Sequence, residues 1–293
     1  MAAVQLLDGK ACAGTVRQEI RDEVSEMDAE QRPGLVVIQV GDRPDSSTYV
    51  RMKTKACVEC GIRVEDVKLP VDVSEATLLE AIDRFNADTG FHGILVQLPL
   101  PEHMDQEKVL DRISVEKDVD GFLPYNLGSL AAKGREPLAT SCTPQGVMEL
   151  LKRNGVEITG KKCVILGRSN IVGMPLALLM VHADATVCIC HSKTKNLEAE
   201  CVQADILCVA MGRAEMVPGS WIKEGAIVVD IGMNSIESAE TKSGRKLVGD
   251  VKFSEAKDKA SWITPVPGGV GPMTIAMLLK NCLTLCKRQR KAS

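Results

Sequence analysis

The segment VILGRSNIVGMP, residues 164–175, predicts the end of a buried strand, a glycine turn and the start of a helix. Gly167 permits the tight turn, Gly173 allows the helix to approach the sheet, and Pro175 suits a first helical turn. The N–H groups and the positive dipole end of such a helix suit a pyrophosphate. The spacing is GxSxxxGxP rather than GxGxxG. The strand–turn–helix context is therefore what favours a dinucleotide site over a turn that serves packing alone.

The same alternation of strands and helices extends over the whole chain. Short apolar, β-branched runs predict strands at residues 35–41, 63–70, 93–100, 162–167, 185–190, 205–212 and 226–232. Apolar strands that alternate with helices are typical of parallel sheets covered on both faces. Residues 131–146 have no strand character. A helical pattern with Thr143 as its cap and Pro144 at its first position follows, which places a domain boundary near residue 143.

The composition is that of a soluble intracellular protein. The chain has 293 residues, 45% of them hydrophobic and 26% charged, which allows a sizeable core and suggests two domains. The formal net charge of −3 provides no basic field for nucleic acid, and no apolar run reaches membrane-spanning length. The eleven cysteines are scattered, and the single CxxC pair, Cys57 and Cys60, has neither a second pair nor a nearby histidine. We therefore expect reduced, buried thiols and no metal. The N-terminus, MAAVQLLDGKACAG, lacks the pattern of a targeting peptide, so the cytoplasm is the expected location.

The end of the strand at residues 185–190 indicates which dinucleotide would bind. An NAD site usually has an acidic residue here that holds the ribose 2′-hydroxyl. The sequence instead continues with Ser192 and Lys193, and Arg168 lies in the glycine turn. An arginine and a hydroxyl without a carboxylate suit a 2′-phosphate, so we predict NADP. The alternative is that Arg168 is a solvated surface residue.

The run SSTYVRMK, residues 46–53, places a tyrosine four residues before a lysine. Polar residues that cap helices begin it, so Tyr49 and Lys53 are expected one turn apart on one helix face, with Lys55 off that face. A Tyr-x-x-x-Lys pair also occurs in short-chain dehydrogenases, but there it follows the glycine turn, whereas here it precedes that turn. From this run alone, the pattern favours an exposed lysine on a surface helix.

Two further polar residues are candidates for a site in the first half. Gln97 ends an apolar strand in VQLPLP, so its amide either satisfies a backbone group or faces a ligand. Asp120 precedes Gly121 in the loop-forming segment EKDVDGFLPYNLGSL. A carboxylate there can accept two parallel hydrogen bonds from the N–H and NH₂ edge of an amino-pyrimidinone. The alternative for Asp120 is an aspartate that only stabilises its own turn.

The segment TPVPGGVGPMT, residues 264–274, combines three glycines with three prolines. We predict a rigid loop without regular structure, whose backbone can closely approach a flat ligand. An amphipathic helix follows, and its apolar face needs a partner surface.

The ordered set of motifs YVRMK, VQLPLP, KDVDGF, CTPQG, GRSNIVGMP, CHSKT, DIG.N, GDV and TPVPGGVGPMT resembles the bifunctional methylenetetrahydrofolate dehydrogenase/methenyltetrahydrofolate cyclohydrolase family, FolD type. Each motif alone is weak, but together they cover nearly the whole chain in the family's order. The resemblance implies an α/β protein of two domains with parallel-sheet cores and an active site in the interdomain cleft. It assigns residues 1–142 plus 270–293 to a folate-binding catalytic domain and residues 143–269 to an NADP-binding Rossmann-like domain. It also implies a homodimer and a small-molecule folate substrate.

The family's roles are carried over residue by residue. Lys53 is similar to the catalytic lysine of the cyclohydrolase step, and Tyr49 is similar to the tyrosine that stacks on the substrate and orients this lysine. Gln97 is similar to the glutamine that contacts the lysine, and Asp120 is similar to the aspartate that binds the pterin. The cofactor contacts implied are Gly167, Arg168, Ser169, Ser192 and Met233, where the family often has isoleucine in place of Met233. The substrate contacts implied are Tyr49, Lys53, Val96, Gln97, Leu98, Asp120, Pro267, Gly268, Gly269, Val270, Gly271, Pro272, Met273, Thr274 and Ile275.

The implied function is oxidation of 5,10-methylenetetrahydrofolate with NADP, followed by hydrolysis of the methenyl product to 10-formyltetrahydrofolate. Two alternatives stay open. One is a dehydrogenase without the hydrolytic activity, and the other is a Rossmann-type protein that binds a nucleotide without turnover.

Overall fold

A computed structural model describes residues 3–239, 241 and 244–292, except for the side chains of residues 44, 45 and 292. The strands are β1 (Gln5–Leu6), β2 (Gly34–Val40), β3 (Arg63–Leu69), β4 (Gly93–Val96), β5 (Lys162–Leu166), β6 (Thr186–Cys190), β7 (Ile206–Val209), β8 (Ile227–Asp230), β9 (Asn234–Glu237), β10 (Arg245–Val248) and β11 (Trp262–Ile263). The helices are α1 (Gly9–Ser25), α2 (Pro44–Glu59), α3 (Glu75–Ala87), α4 (Gln106–Asp111), α5 (Pro124–Ala131), α6 (Cys142–Arg153), α7 (Gly173–His182), α8 (Leu197–Cys201), α9 (Phe253–Ala256) and α10 (Val270–Ala292).

The chain divides into two compact units. The three-stranded unit contains residues 14–142 and 275–293, and the six-stranded unit contains residues 1–13 and 143–274. The main boundary therefore falls after residue 142, where the loss of strand character predicted it.

The three-stranded unit is built on a parallel sheet with the order β3-β2-β4. Every residue of the central strand β2 is buried, as its continuous apolar sequence predicts. α3 begins after Ser74, whose hydroxyl accepts a hydrogen bond from the N–H of Thr77 at 3.1 Å. The same helix buries Leu78, Ile82 and Phe85 in the core beside the sheet. Burial of each of these side chains stabilises the fold by about 1.5–3 kcal/mol.

The six-stranded unit has a sheet with the order β1-β11-β8-β7-β5-β6, in which every pairing is parallel. The chain runs from β5 to the edge strand β6 and then returns to β7 on the other side of β5. The carboxyl ends of β5 and β7 therefore form a topological switch point, the place where doubly wound sheets bind ligands. The sheet order agrees with the Rossmann-like domain that the resemblance implies.

The N-terminal residues differ from their predicted assignment. The resemblance implies that residues 1–142 belong to the first domain, whereas β1 pairs in parallel with β11 through Gln5 with Trp262 and Leu6 with Ile263. This pairing adds residues 1–13 to the six-stranded unit. β1 and β11 have two residues each and β9 and β10 form a short antiparallel pair, so none of these strands has the apolar run that predicted the others.

The ends of two helices also differ from prediction. α10 begins at Val270, so residues 270–274 are helical rather than part of an irregular loop. Pro272 lies in the first turn, where a helix needs no N–H from it. α6 begins at Cys142, so Thr143 lies within the helix and is not its cap, and its hydroxyl instead hydrogen-bonds the hydroxyl of Thr274 at 3.0 Å.

The last helix covers its apolar face as expected. From Ile275 onward α10 belongs to the three-stranded unit, and its buried apolar residues there are Ile275, Ala276, Met277, Leu278, Leu279, Cys282, Leu283, Leu285 and Cys286. Of the eleven cysteines, all unpaired thiols, nine are buried and two are half-buried. Within the described residues, we find no helix with the length and apolar character needed to span a bilayer.

Candidate active site

A lysine–glutamine pair lies at the carboxyl edge of the three-stranded sheet. Lys53 Nζ donates a hydrogen bond to Gln97 Oε1 at 3.0 Å, and Gln97 Nε2 donates to the carbonyl oxygen of Leu98 at 2.8 Å. The second bond fixes the orientation of the amide and turns its oxygen toward the amine. Gln97 lies just after the end of β4, because that strand stops at Val96, earlier than predicted. The Leu98–Pro99 peptide bond that follows is cis.

The tyrosine and the lysine of the YVRMK motif share one helix, as predicted. Tyr49 lies one turn before Lys53 in α2. Tyr49 is half-buried, and burial raises the pKa of its hydroxyl. The side chain of Lys55 is exposed, and its Nζ lies 3.8 Å from Oε1 of Glu59 on the same helix. Of the two lysines, only Lys53 is therefore directed toward a candidate site.

The loop after residue 117 is organised by Asp118, which the sequence analysis did not select. Its carboxylate accepts hydrogen bonds from the backbone N–H groups of Gly121, Phe122 and Leu123 and from Asn126 Nδ2, at 2.8–3.2 Å. An aspartate three residues before a glycine is a signal for such a turn and could have identified it. Because Asp118 stabilises the turn, Asp120 does not have to.

Asp120 is half-buried, and none of the described residues hydrogen-bonds its carboxylate. Burial raises the pKa of the Asp120 carboxyl group to about 6. The charge of Lys53 opposes this rise, and the charge of Asp118 adds to it. Lys53 is therefore close enough to act on Asp120 electrostatically, although no ion pair joins the two within the described part of the chain. A carboxylate without a protein partner is available to a ligand.

The backbone before Asp120 is held from the last helix. Asn281 of α10 is buried, and its Nδ2 donates to the carbonyl oxygens of Val119 at 2.9 Å and Thr140 at 2.8 Å. One amide thus joins the loop that carries Asp120 to the segment leading into α6. This contact was not predictable from the sequence because the partners are far apart along the chain.

Replacement of Asp118 by alanine is expected to lower the free energy of unfolding by about 3 kcal/mol. The change leaves three backbone N–H groups and one side-chain amide without their charged acceptor, and buried unpaired donors are costly. Urea unfolding of the purified variant measures the loss. The matched control is Asp88→Ala, because Asp88 is exposed and its carboxylate accepts a single hydrogen bond, from the N–H of Gly90. Equal stability losses for the two variants would contradict the role given to Asp118.

The glycine turn of the six-stranded unit has the predicted strand–turn–helix form. Gly167 has a φ of +130°, and a Cβ placed on it would lie 2.4 Å from the carbonyl oxygen of Ala210. The hydroxyl of Ser169 accepts hydrogen bonds from the N–H groups of Val172 at 3.2 Å and Gly173 at 3.4 Å. Ser169 therefore occupies two of the N–H groups that the sequence analysis assigned to a pyrophosphate.

Two of the predicted cofactor contacts, Arg168 and Ser192, follow adjacent strands at the carboxyl edge of the sheet. The N–H of Gly167 donates to the carbonyl oxygen of Cys190 at 2.8 Å, which holds the two strand ends together. Arg168 and Ser192 are both exposed, and within the described chain Arg168 has no acidic partner. Met233, which follows β8, is 43% exposed. The exposed cation and hydroxyl beside a glycine turn can accommodate a phosphate.

The segment predicted to line the folate cleft is only partly accessible. Lys10 N–H donates to the carbonyl oxygen of Gly268 at 2.9 Å, and the Val266–Pro267 peptide bond is cis. The exposed or half-buried members are Pro267, Gly268, Gly271, Pro272 and Thr274. The buried members are Gly269, Val270, Met273 and Ile275. Val96 is also buried, whereas Leu98 is half-buried. The structure thus brings together Lys53, Gln97 and Asp120 within one unit, and Gly167, Arg168 and Ser192 within the other.

Comparisons with known proteins match family models to the two parts of the chain. Residues 7–120 match the family model for the tetrahydrofolate dehydrogenase/cyclohydrolase catalytic domain, and residues 141–290 match that for the NAD(P)-binding domain. The chain is similar to Bifunctional protein FolD 2 of Arabidopsis thaliana, with 54% identity over 97% of this chain and 96% of that protein. It is also similar to Bifunctional protein FolD of Moorella thermoacetica, with 53% identity over 97% of this chain and 99% of that protein.

A solved structure shares the whole fold. The Trypanosoma brucei N5,N10-methylenetetrahydrofolate dehydrogenase-cyclohydrolase, complexed with NADP cofactor and an inhibitor, has a TM-score of 0.95 and 44% identity. The similarity covers 99% of this chain and 100% of that one.

Proposed function

Because this chain belongs to the tetrahydrofolate dehydrogenase/cyclohydrolase family, we propose that it oxidises 5,10-methylenetetrahydrofolate with NADP and then hydrolyses the methenyl product to 10-formyltetrahydrofolate. The observation that carries the proposal is the Lys53–Gln97 hydrogen bond, formed beside an Asp120 carboxylate that no described residue uses. A simple nucleotide-binding protein has no need for this arrangement.

In the first step, hydride leaves the carbon that bridges N5 and N10 of the folate. NADP, when bound, supplies the hydride acceptor. The chain's own contribution is binding and alignment, which can supply a large part of the rate enhancement. Asp120 accepts hydrogen bonds from the amino-pyrimidinone edge of the pterin, and Tyr49 stacks on its ring. Arg168 and Ser192 fit the 2′-phosphate because both are exposed next to the glycine turn, and no carboxylate follows β6 directly to repel it.

In the second step, water adds to the methenyl carbon and loses a proton. The adduct then opens by cleavage of the bond between this carbon and N5, N5 takes up the hydroxyl proton, and the formyl group stays on N10. Lys53 is the group that removes this proton or polarises the water. Gln97 accepts one of the amine's N–H bonds and thereby holds Nζ at a fixed place without adding charge. The absence of a direct ion pair between Lys53 and Asp120 within the described chain favours this role, since a tight ion pair would stabilise the protonated amine.

A coupled assay tests the proposal and separates it from both alternatives. With NADP and the methylene substrate, we expect reduced cofactor to form while the methenyl intermediate stays well below it in amount. Stoichiometric accumulation of the methenyl compound would identify a dehydrogenase without hydrolytic activity, and a failure to reduce NADP would identify a binding protein.

Acidification below a pH of about 6 is expected to weaken the binding of 5-formyltetrahydrofolate, a folate that carries the same pterin edge and is not a substrate of either step. The pKa of Asp120 is about 6, so the carboxylate that accepts the pterin's hydrogen bonds predominates above this pH and is lost below it. Calorimetric titrations should give a dissociation constant that is constant above pH 6 and rises about tenfold per pH unit below it. Asp120→Asn should bind more weakly, with no such pH dependence, and a wild-type constant that does not change with pH would refute the assignment.

The assembly and location remain proposals as well. The family resemblance supports a homodimer, which sedimentation of the purified protein can test. We also propose a cytoplasmic location, which fractionation of cells that express the protein can test.

A further inference from the structure

Two buried carboxylates lie at the carboxyl edge of the six-stranded sheet, in the DIG.N and GDV motifs. The proposed chemistry gives neither carboxylate a role. Asp230, the last residue of β8, is 4% exposed, and Asp250 is fully buried. Within the described residues, neither has a cationic partner. Buried carboxyl groups without a counter-charge cost folding free energy, which makes them candidates for a functional role.

Asp230 holds Asp250 in place. Its Oδ1 accepts hydrogen bonds from the N–H groups of Gly232 and Asp250, both at 3.0 Å, and its Oδ2 accepts one from the N–H of Val251 at 2.8 Å. The chain before Asp250 must therefore run directly against β8. A Cβ on Gly249 would lie 1.8 Å from Asp230 Oδ2, so only glycine fits there.

The carboxylate of Asp250 in turn accepts hydrogen bonds from the segments that follow β7 and β8. Its Oδ2 accepts from the N–H groups of Met211 at 2.6 Å and Gly212 at 2.9 Å. Its Oδ1 accepts from the N–H of Arg213 at 2.8 Å and from Asn234 Nδ2 at 2.9 Å. One side chain thus fixes the loop after β7 and the loop after β8.

The loop at residues 211–213 follows one of the two strands of the switch point. Ala210 N–H donates to the carbonyl oxygen of Leu166 at 2.8 Å, and the carbonyl of Ala210 packs against Gly167. The loop therefore adjoins the glycine turn on the side opposite β6. Arg168 and Ser192 place the adenosine 2′-phosphate on the β6 side, so the nicotinamide half extends toward β7 and β8.

We propose that Asp250, held by Asp230, is a positioning residue that sets the loops after β7 and β8 against the nicotinamide half of the cofactor. This inference rests on the proposed NADP-dependent function. It adds the residue that keeps the reacting end of the cofactor aligned. Asp250 does not touch the cofactor: it acts through the backbone of residues 211–213 and through Asn234.

The test is Asp250→Asn, which keeps the shape of the side chain but replaces one accepting oxygen by an NH₂ group that faces N–H donors. We expect kcat of the dehydrogenase to fall at least about tenfold and KM for NADP to rise. Binding of adenosine 2′,5′-bisphosphate, which lacks the nicotinamide half, should change less than about twofold. Cyclohydrolase activity, measured on the methenyl substrate without cofactor, should also be retained. The matched control is Asp205→Asn at the opposite edge of the same sheet, where Asp205 accepts a hydrogen bond from the N–H of Lys162 at 2.8 Å.

Several outcomes would overturn the inference: unchanged dehydrogenase kinetics in Asp250→Asn, a parallel loss of bisphosphate binding, or an equal effect of Asp205→Asn. If Asp250→Asn does not fold, Asn234→Ala decides, because it removes only one donor; a KM for NADP and a kcat equal to those of the wild type would then reject the inference. A wild-type enzyme that does not reduce NADP would instead refute the proposed function itself.

Discussion

Replacement of Lys53 by methionine is expected to lower the cyclohydrolase rate by about a thousandfold while hydride transfer continues at a measurable rate. Methionine matches the length of the lysine stem but cannot accept or donate a proton, and positioned acid–base groups contribute about a hundredfold to ten-thousandfold. Hydride transfer needs alignment rather than a proton acceptor, and alignment depends on Tyr49 and Asp120 as well. Stopped-flow or steady-state assays of each half-reaction, begun from the methylene and the methenyl substrate, measure the two effects separately.

Lys55→Met is the matched control for this variant. Lys55 lies on the same helix, is exposed and is 3.8 Å from Glu59, so its loss should change neither rate by more than about twofold. An equal fall of both activities in Lys53→Met would show that Lys53 only binds substrate, and an unchanged cyclohydrolase rate would remove it from the mechanism.

Replacement of Arg168 by alanine is expected to raise KM for NADP by about thirtyfold and KM for NAD by less than about threefold. A charge-assisted hydrogen bond is worth about 1.5–3 kcal/mol, and only NADP carries the phosphate that would accept it. Arg168 is exposed and lacks an acidic partner within the described residues, so its removal should leave the fold intact. Dehydrogenase kinetics with each cofactor supply the ratio.

The control for Arg168→Ala is Lys246→Ala, which removes one exposed positive charge from β10 in the same unit. It separates a specific phosphate contact from a general change in electrostatic attraction. If Arg168→Ala weakens NAD and NADP alike, the 2′-phosphate is not bound by this residue.

The sequence predicted the sheets well because their central strands are buried on both faces. The short, β-branched apolar runs that became β2, β5 and β7 are typical of strands buried on both faces, and Ser74 marked the start of α3 correctly. The strands β1 and β11 could not be found, because a two-residue strand is defined only by its neighbour. Residues 270–274 were assigned to a loop because glycine and proline dominate there, although the first turn of a helix tolerates both.

The candidate site was predictable in part. Gln97 was recognisable as a polar residue at the end of an apolar strand, but its partner Lys53 is 44 positions away in sequence. The turn at Asp118 follows from local spacing and could have been predicted. The hydrogen bonds that Asn281 donates, and those that link Asp230 to Asp250, could not have been predicted. These hydrogen bonds join segments that become neighbours only when the whole unit has folded.

The contact between Asn281 and Val119 has a consequence for how the protein is made, because 162 positions separate the two residues. A ribosome finishes residues 14–142 early, yet the amide that secures their loop is synthesised only after the complete intervening segment 143–274. The three-stranded unit, most of which is synthesised first, therefore completes its core only after α10 has been made. The segment 143–274 of the six-stranded unit is synthesised before that point and can begin to fold earlier.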